Sequence, residues 1–243
     1  MFIHTQCEML SRVSNIEYHS PNNRPPAFNA MQLLNNPEIW NNNHGCFAPV
    51  RFYVDVPDIQ KYDVILHLRD PRDVLVSMFY SYCYIHPGEV EVNTGYRSEI
   101  ANQGIDQFVL DHALGRTSHY RGDYGTGGHV KHAIGGLKTR YENYVQKLLN
   151  RDNVIFLKYE TMVKNYPLWI GQFIQPFPIE NKQEVIDFLV SKQDVFFPKH
   201  KEEKMTHVRK ITPGDHKEKL KSTTIKELNA IFQDTLSALA YET

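Results

Sequence analysis

The sequence predicts an α/β fold in which parallel strands alternate with helices, and three observations predict it. Asp63 to Leu68 (DVILHL) is a nearly continuous apolar run bounded by a turn and a helix, the pattern of a central parallel strand buried on both faces. Val154 to Tyr159 (VIFLKY) repeats that pattern. Between the two runs lie helical patterns that suit right-handed crossovers, so the rhythm is strand, helix, long helix, strand, helix.

Taken in order, residues 2 to 13 place Ile3, Met9, Leu10 and Val13 roughly on one face of a short helix. Asn22 to Gly45 is rich in Asn and Pro and reads as surface loop. Val50 to Val56 alternates as a strand. After the Asp63 to Leu68 strand, Asp70 is placed to N-cap a helix, Pro71 suits its first turn, and Asp73 adds favourable charge near its N-terminus. That helix is expected from Pro71 to about His86. Residues 87 to 102 read as loop, Ile105 to Leu114 as a helix stopped by Gly115, and Arg116 to Gly128 as a mobile loop. Val130, Ile134, Leu137, Tyr141, Val145 and Leu148 keep helical spacing up to Asn150. Beyond the second buried strand come helices around Thr161 to Phe173 and Glu184 to Val190. A last helix opens on a capping-box pattern, Thr224 to Glu227.

At 243 residues the chain reads as one domain, residues 1–243. Lys and Arg total 27 against 28 Asp and Glu, so no global basic field favours nucleic acid, and any anion site must be local. Three cysteines, Cys7, Cys46 and Cys83, form no CxxC or Cys/His metal spacing, which predicts neither a zinc site nor a disulfide framework and fits a reducing compartment. No apolar run approaches the roughly 20 residues of a membrane span, and the first residues lack the pattern of a secretory signal. The expected location is cytoplasmic.

The richest stretch is ILHLRDPRDVLVSMFYSY, residues 65 to 82. Arg69 follows a strand directly, at the carboxyl edge of the sheet, where ligands of α/β proteins bind and where a guanidinium can take a phosphate through two parallel hydrogen bonds. Ser77 lies eight residues on, about two helical turns, with a hydroxyl for the same side. The alternative is an arginine paired with Asp70 or Asp73 and a serine facing solvent.

The segment LRDPRDVLVSMFY resembles the 3′-phosphate-binding segment of sulfotransferases that use 3′-phosphoadenylyl sulfate (PAPS). In that family an arginine ending a strand and a serine eight residues later grip the 3′-phosphate, and Arg69 and Ser77 match in type and spacing. VIFLKYETM, residues 154 to 162, resembles the family's later strand and its "YE" segment, whose tyrosine, here Tyr159, lies near the adenine. Ordinary strand packing is the other reading of Tyr159. HVRKITPGDHKEKL, residues 207 to 220, resembles the family's "RKGxxGDW" loop, which implies that Arg209 and Lys210 reach the 3′-phosphate and that Gly214 lets the loop turn. Two positions depart from it: Ile211 stands where the loop usually has glycine, and His216 where tryptophan is common.

The resemblance implies a three-layer sandwich, a central parallel sheet flanked by helices in the manner of P-loop NTPases. It also implies transfer of a sulfuryl group from PAPS to a hydroxyl or amine of a small-molecule or glycan acceptor, with PAP as product and no metal. The expected base is a histidine in the loop before the arginine strand. His44, 25 residues ahead of Arg69, is the nearest counterpart, and an imidazole with an ordinary pKa of about 6.5 accepts a proton near neutrality. A loop histidine without a catalytic role is the alternative. His67, inside the strand, reads as structural. Phe79, Tyr80, Tyr82 and Tyr84 line either an acceptor pocket or the core, and the 116 to 128 loop is placed to gate the acceptor.

The family's amino-terminal strand and Gly-rich phosphosulfate loop, resembling "PKSGTT", have no counterpart, so those elements are expected to be missing. A competing expectation follows: a degenerate sulfotransferase-like module that binds 3′-phosphoadenosine nucleotides without turnover. A nucleotide kinase fares worse, because GxxxxGK[ST] is absent.

Overall fold

The structure is a computed structural model that describes residues 2–19, 45–50, 53, 56, 58–85, 94–116, 136–197, 202 and 209–243. Its elements in chain order are α1 (Phe2–Val13), β1 (Glu17–His19), β2 (Gly45–Phe47), β3 (Val64–Leu68), α2 (Pro71–Tyr80), α3 (Thr94–Gln103), α4 (Ile105–Leu114) and α5 (Gly136–Lys147). They continue with β4 (Val154–Lys158), α6 (Tyr159–Lys164), α7 (Tyr166–Ile174), α8 (Lys182–Ser191), α9 (Gln193–Phe196), α10 (Asp215–Lys219), α11 (Ser222–Ile231) and α12 (Gln233–Ala238). Among the described residues, no helix is long and apolar enough to cross a membrane, and no group of three or more His, Cys, Asp or Glu is placed to hold a metal.

The chain divides into two compact units. The first comprises residues 1–67 and 151–199. Here β1 pairs with β2 in parallel, Tyr18 opposite Cys46, and β3 is hydrogen-bonded to β4. The core forms where α1 contributes Cys7 and Leu10, β4 contributes Leu157, and α7 contributes Tyr166, Trp169, Ile170 and Phe173. Trp169 stacks on Phe173 with ring centroids 5.0 Å apart, and Tyr166 donates from its hydroxyl to Gln6 Oε1 at 2.8 Å, so its own polar tip has an acceptor.

The second unit comprises residues 68–150 and 200–243. Leu75, Val76 and Phe79 of α2 are buried, as are Phe108 and Val109 of α4 and Leu228 and Leu236 of α11 and α12. Phe79 meets Phe108 edge to face at 5.4 Å. Gly115 ends α4 in a left-handed conformation (φ 68°), as its position predicts. Gly136 opens α5 against that same corner: a β-carbon there would collide with the backbone of Gly115 and of Ala113.

Several local expectations change. Helix α2 keeps its start, with Asp70 accepting from Arg72 N at 2.9 Å, but ends at Tyr80 and widens into a π-helical turn over Ser81–Ile85. Part of the 87 to 102 loop is helix α3, which carries polar residues almost throughout and buries Ile100, so it shows no apolar stripe for periodicity to detect. The Thr161 to Phe173 helix is two helices, broken at Asn165, whose side chain accepts from Leu168 N at 3.2 Å while Pro167 sits in the first turn. The Thr224 to Glu227 capping box does not form. Helix α11 starts at Ser222, and its first turn is closed from a distance: Asp106 of α4 accepts from Lys221 N at 3.0 Å and from the Thr224 hydroxyl at 2.7 Å. Of the Val50 to Val56 strand, the described residues Val50, Tyr53 and Val56 are irregular chain. The described part of the Val130 to Asn150 helix starts at Gly136, and the 117–128 portion of the expected gate lies outside the described residues.

Candidate functional site

Arg69 leaves the end of β3, and its carbonyl oxygen accepts from the Tyr141 hydroxyl at 2.6 Å, which fixes the backbone where the strand hands over to α2. Its guanidinium reaches back over the first turn of α2, and Nη2 donates to Asp73 Oδ2 at 3.3 Å. The pairing foreseen as the alternative therefore forms. It does not close off the arginine, whose side chain keeps 17% of its surface open. The other arginine of the stretch is structural: Arg72 is buried, forks onto Asp70 at 3.0 and 2.7 Å, and donates to Asn229 Oδ1 and the Glu242 carbonyl, each at 2.6 Å. Two arginines three residues apart thus have separate partners, one partly exposed and paired with Asp73 and one tying down the carboxyl-terminal chain.

Asp73 organises the site. Its buried carboxylate takes Arg69 Nη2 and Gly214 N (2.7 Å) on Oδ2, and His216 N (2.9 Å) and His216 Nδ1 (2.7 Å) on Oδ1. An ionised carboxylate only accepts, so the His216 proton in this contact is on Nδ1. Burial pushes the Asp73 carboxyl up, yet the bond from His216, the Arg69 charge and the backbone N–H groups of His216 and Gly214 together hold it well below the usual carboxylate range. Residues 141 and 143 positions away in sequence are thereby fixed to the first turn of α2. Gly214, at φ 86°, makes the bend that points its N–H and that of His216 toward one carboxylate.

The same loop carries Arg209 and Lys210. Arg209 is buried, ion-paired with Glu202 and with Asp215, and lies 4.0 Å over the centre of the Tyr80 ring. Lys210 reaches Asp215 at 3.2 Å and Glu218 at 2.6 Å and keeps 17% of its side chain open. Partial burial pulls its ammonium down, but Glu218 and Asp215 outweigh that and raise its pKa. Ser77 is exposed on α2, one turn beyond Asp73 and two beyond Arg69.

The second unit therefore joins Arg69 to the Arg209–Lys210 loop through Asp73 and Gly214–His216. Each of the three cations rests on a carboxylate, and Arg69 and Lys210 keep part of their side chains exposed. Phe79 and Tyr80 are buried, Phe79 as core and Tyr80 as the ring beneath Arg209. In the first unit, Tyr159 opens α6 and belongs to the core cluster. His67 lies edge-on to Trp169 at 5.4 Å, and burial pulls its imidazole down to about 4, which suits a structural neutral group. His44 lies outside the described residues.

Asp73 and His216 were not among the expected site residues. The one available signal was Asp73 four residues after Arg69, a spacing that brings the two together on a helix. Nothing in the spacing points from Asp73 to residues 214 and 216.

Residues 59–240 match the family model described as "Sulfotransferase domain". The chain belongs to the sulfotransferase family. Arg69, Ser77, Tyr159, Arg209 and Lys210 of this sulfotransferase fall inside the matched region, and His44 falls ahead of it. Among solved structures, the chain is similar to mouse sulfotransferase SULT7A1 complexed with PAP, at 14% identity and a TM-score of 0.60, over 97% of this chain and 78% of that one. That likeness shows the α/β sulfotransferase fold, with its parallel strands between helices. No curated protein matches the chain.

Proposed function

We propose that this sulfotransferase, acting as one domain over residues 1–243, uses PAPS as donor, releases PAP, and transfers the sulfuryl group to a hydroxyl or amine of a small-molecule or glycan acceptor. The observation that carries the reading is the junction at Asp73, where a strand-end arginine and a distant Arg-Lys loop meet in one buried hydrogen-bond network. A doubly charged ribose phosphate suits that set. Arg69 and Lys210 are partly exposed cations resting on carboxylates that an incoming phosphate can displace, Arg209 backs them from its place over Tyr80, and the Ser77 hydroxyl lies two turns from Arg69 on the exposed face.

Sulfuryl transfer needs little covalent help from the protein. As in phosphoryl transfer, attacking and leaving atoms lie in line, and positioning with charge stabilisation lowers the barrier. In this reading the second unit anchors the nucleotide by its 3′-phosphate, Tyr159 lies by the adenine, and His44 takes the acceptor proton. The PAP-bound state of the mouse structure supports the choice of nucleotide.

Calorimetry with adenosine 3′,5′-bisphosphate tests the reading. Arg69→Ala is expected to weaken binding by about 2 kcal/mol, close to 30-fold, the scale of losing a charge-assisted contact. Unchanged affinity in Arg69→Ala, or no binding to the wild type, overturns it. Transfer of labelled sulfate from PAPS to an acceptor panel then separates an enzyme from a module that only binds.

A further inference from the structure

The first unit contains a pair of thiols that the sulfuryl chemistry does not use. Cys7, on α1, is 1% exposed within the aromatic and aliphatic core, and Cys46, in the middle of β2, is partly exposed. Their sulfurs are 3.8 Å apart across 39 residues of sequence. Regular structure holds them there. Helix α1 turns directly into β1, with Ser14 Oγ donating to Leu10 O at 2.7 Å and accepting from Ile16 N at 3.3 Å. β1 then pairs with β2 so that Tyr18 faces Cys46. Two further contacts fasten β2 on that register: the Tyr18 hydroxyl donates to Ala48 O at 2.9 Å, and His19 stacks on Phe47 with centroids 4.5 Å apart.

We propose that Cys7 and Cys46 are an oxidative modification site, which a peroxide converts into a disulfide between α1 and β2. A sulfur–sulfur bond is about 2.05 Å long, so the sulfurs close a gap of under 2 Å, within reach of side-chain rotation. Exposure sets the order of events. Cys46 is the sulfur the oxidant reaches; it attacks the peroxide O–O bond and becomes a sulfenic acid while the other oxygen leaves as water with the thiol proton. Cys7 then attacks the Cys46 sulfur, the S–S bond forms, the S–O bond breaks, and the hydroxyl leaves as a second water with the Cys7 proton. One peroxide and two thiols thus give one disulfide and two waters.

The contact with Cys46 and burial both hold the Cys7 thiol well above its usual pKa, which fits its role as the second sulfur to react. Cys83 is the internal control. It stands in the second unit, where there is no other cysteine, and burial raises its thiol to about 11.

The test treats the full chain with hydrogen peroxide, blocks remaining thiols, and maps the non-reduced digest by mass spectrometry. The expected result is a peptide containing Cys7 joined to the peptide containing Cys46, lighter than their sum by two hydrogens, with Cys83 alkylated. The bridge should disappear on reduction and raise the melting temperature by several degrees, because it shortens the open chain. Cys83→Ser should form the same bridge. Cys7 recovered as free thiol with Cys46 taken to sulfinic acid, or oxidation confined to Cys83, overturns the proposal. The wild-type map decides, so it stands or falls even if Cys7→Ser fails to fold.

Discussion

In the first unit His67 lies against Trp169 and is neutral near pH 7 because burial lowers its proton affinity, whereas in the second unit the buried Asp73 keeps its charge because four donors converge on it. Burying an ionisable group is costly, and these are the two ways to limit the cost: give up the charge, or pair and hydrogen-bond it. The first unit takes the former course and is held by ring packing. The second takes the latter, and in doing so draws the cations suited to an anion into one place.

The largest effect should come from removing the hub. Asp73→Ala leaves Arg69, the Gly214 and His216 N–H groups and the His216 ring without their acceptor, and should destabilise the chain by about 4 kcal/mol in urea unfolding, the scale of breaking a buried ion pair. Asp73 also has a pH signature. Its folded pKa lies below the unfolded value of about 3.9, so its contribution is full above that value and fades as pH falls below it. Asp73→Asn should lack that acid-dependent part. An Asp73→Ala loss under about 1 kcal/mol would mean the network is incidental.

His67 sharpens the contrast from the other side, with a slightly smaller effect. Its folded pKa of about 4 lies below the ordinary 6.5, so between those values the unfolded chain binds more protons than the folded one and stability falls as pH falls. The loss across that window should approach about 3 kcal/mol at most. His67→Gln should flatten the stability profile between pH 6.5 and 4 and leave the part below unchanged.

The smallest effect is expected at the rim. Glu218, with 61% of its side chain exposed, holds Lys210 at 2.6 Å. Glu218→Gln should change stability by less than about 0.5 kcal/mol, as exposed pairs do, while leaving Lys210 only its longer, 3.2 Å contact with Asp215 of these two and tightening adenosine 3′,5′-bisphosphate binding several-fold. Weaker binding in this variant would show that Lys210 needs Glu218 to be in place.

Much of the fold was readable. The two apolar strand runs, the Asp70 cap with Pro71 behind it, the Gly115 stop and the apolar face of α1 all express short-range rules of spacing and backbone preference. Helix α3 was missed because it is polar almost throughout, and the start of α11 was misplaced because its cap, Asp106, comes from a different helix. Arg69, Ser77, Arg209 and Lys210 were legible as residue types at family spacing. That Tyr80 lies under Arg209 was not, since aromatics along a buried helix read equally as core.

The sequence by itself determined where a cation ends a strand, where a hydroxyl follows two turns later, and where a second basic pair sits near the carboxyl end. Only the tertiary structure decided that Asp73 binds Gly214 and His216 and so brings those parts together, and that Cys7 meets Cys46. The reason is physical: a hydrogen bond acts over about 3 Å, and which distant residues come that close depends on how the whole chain packs.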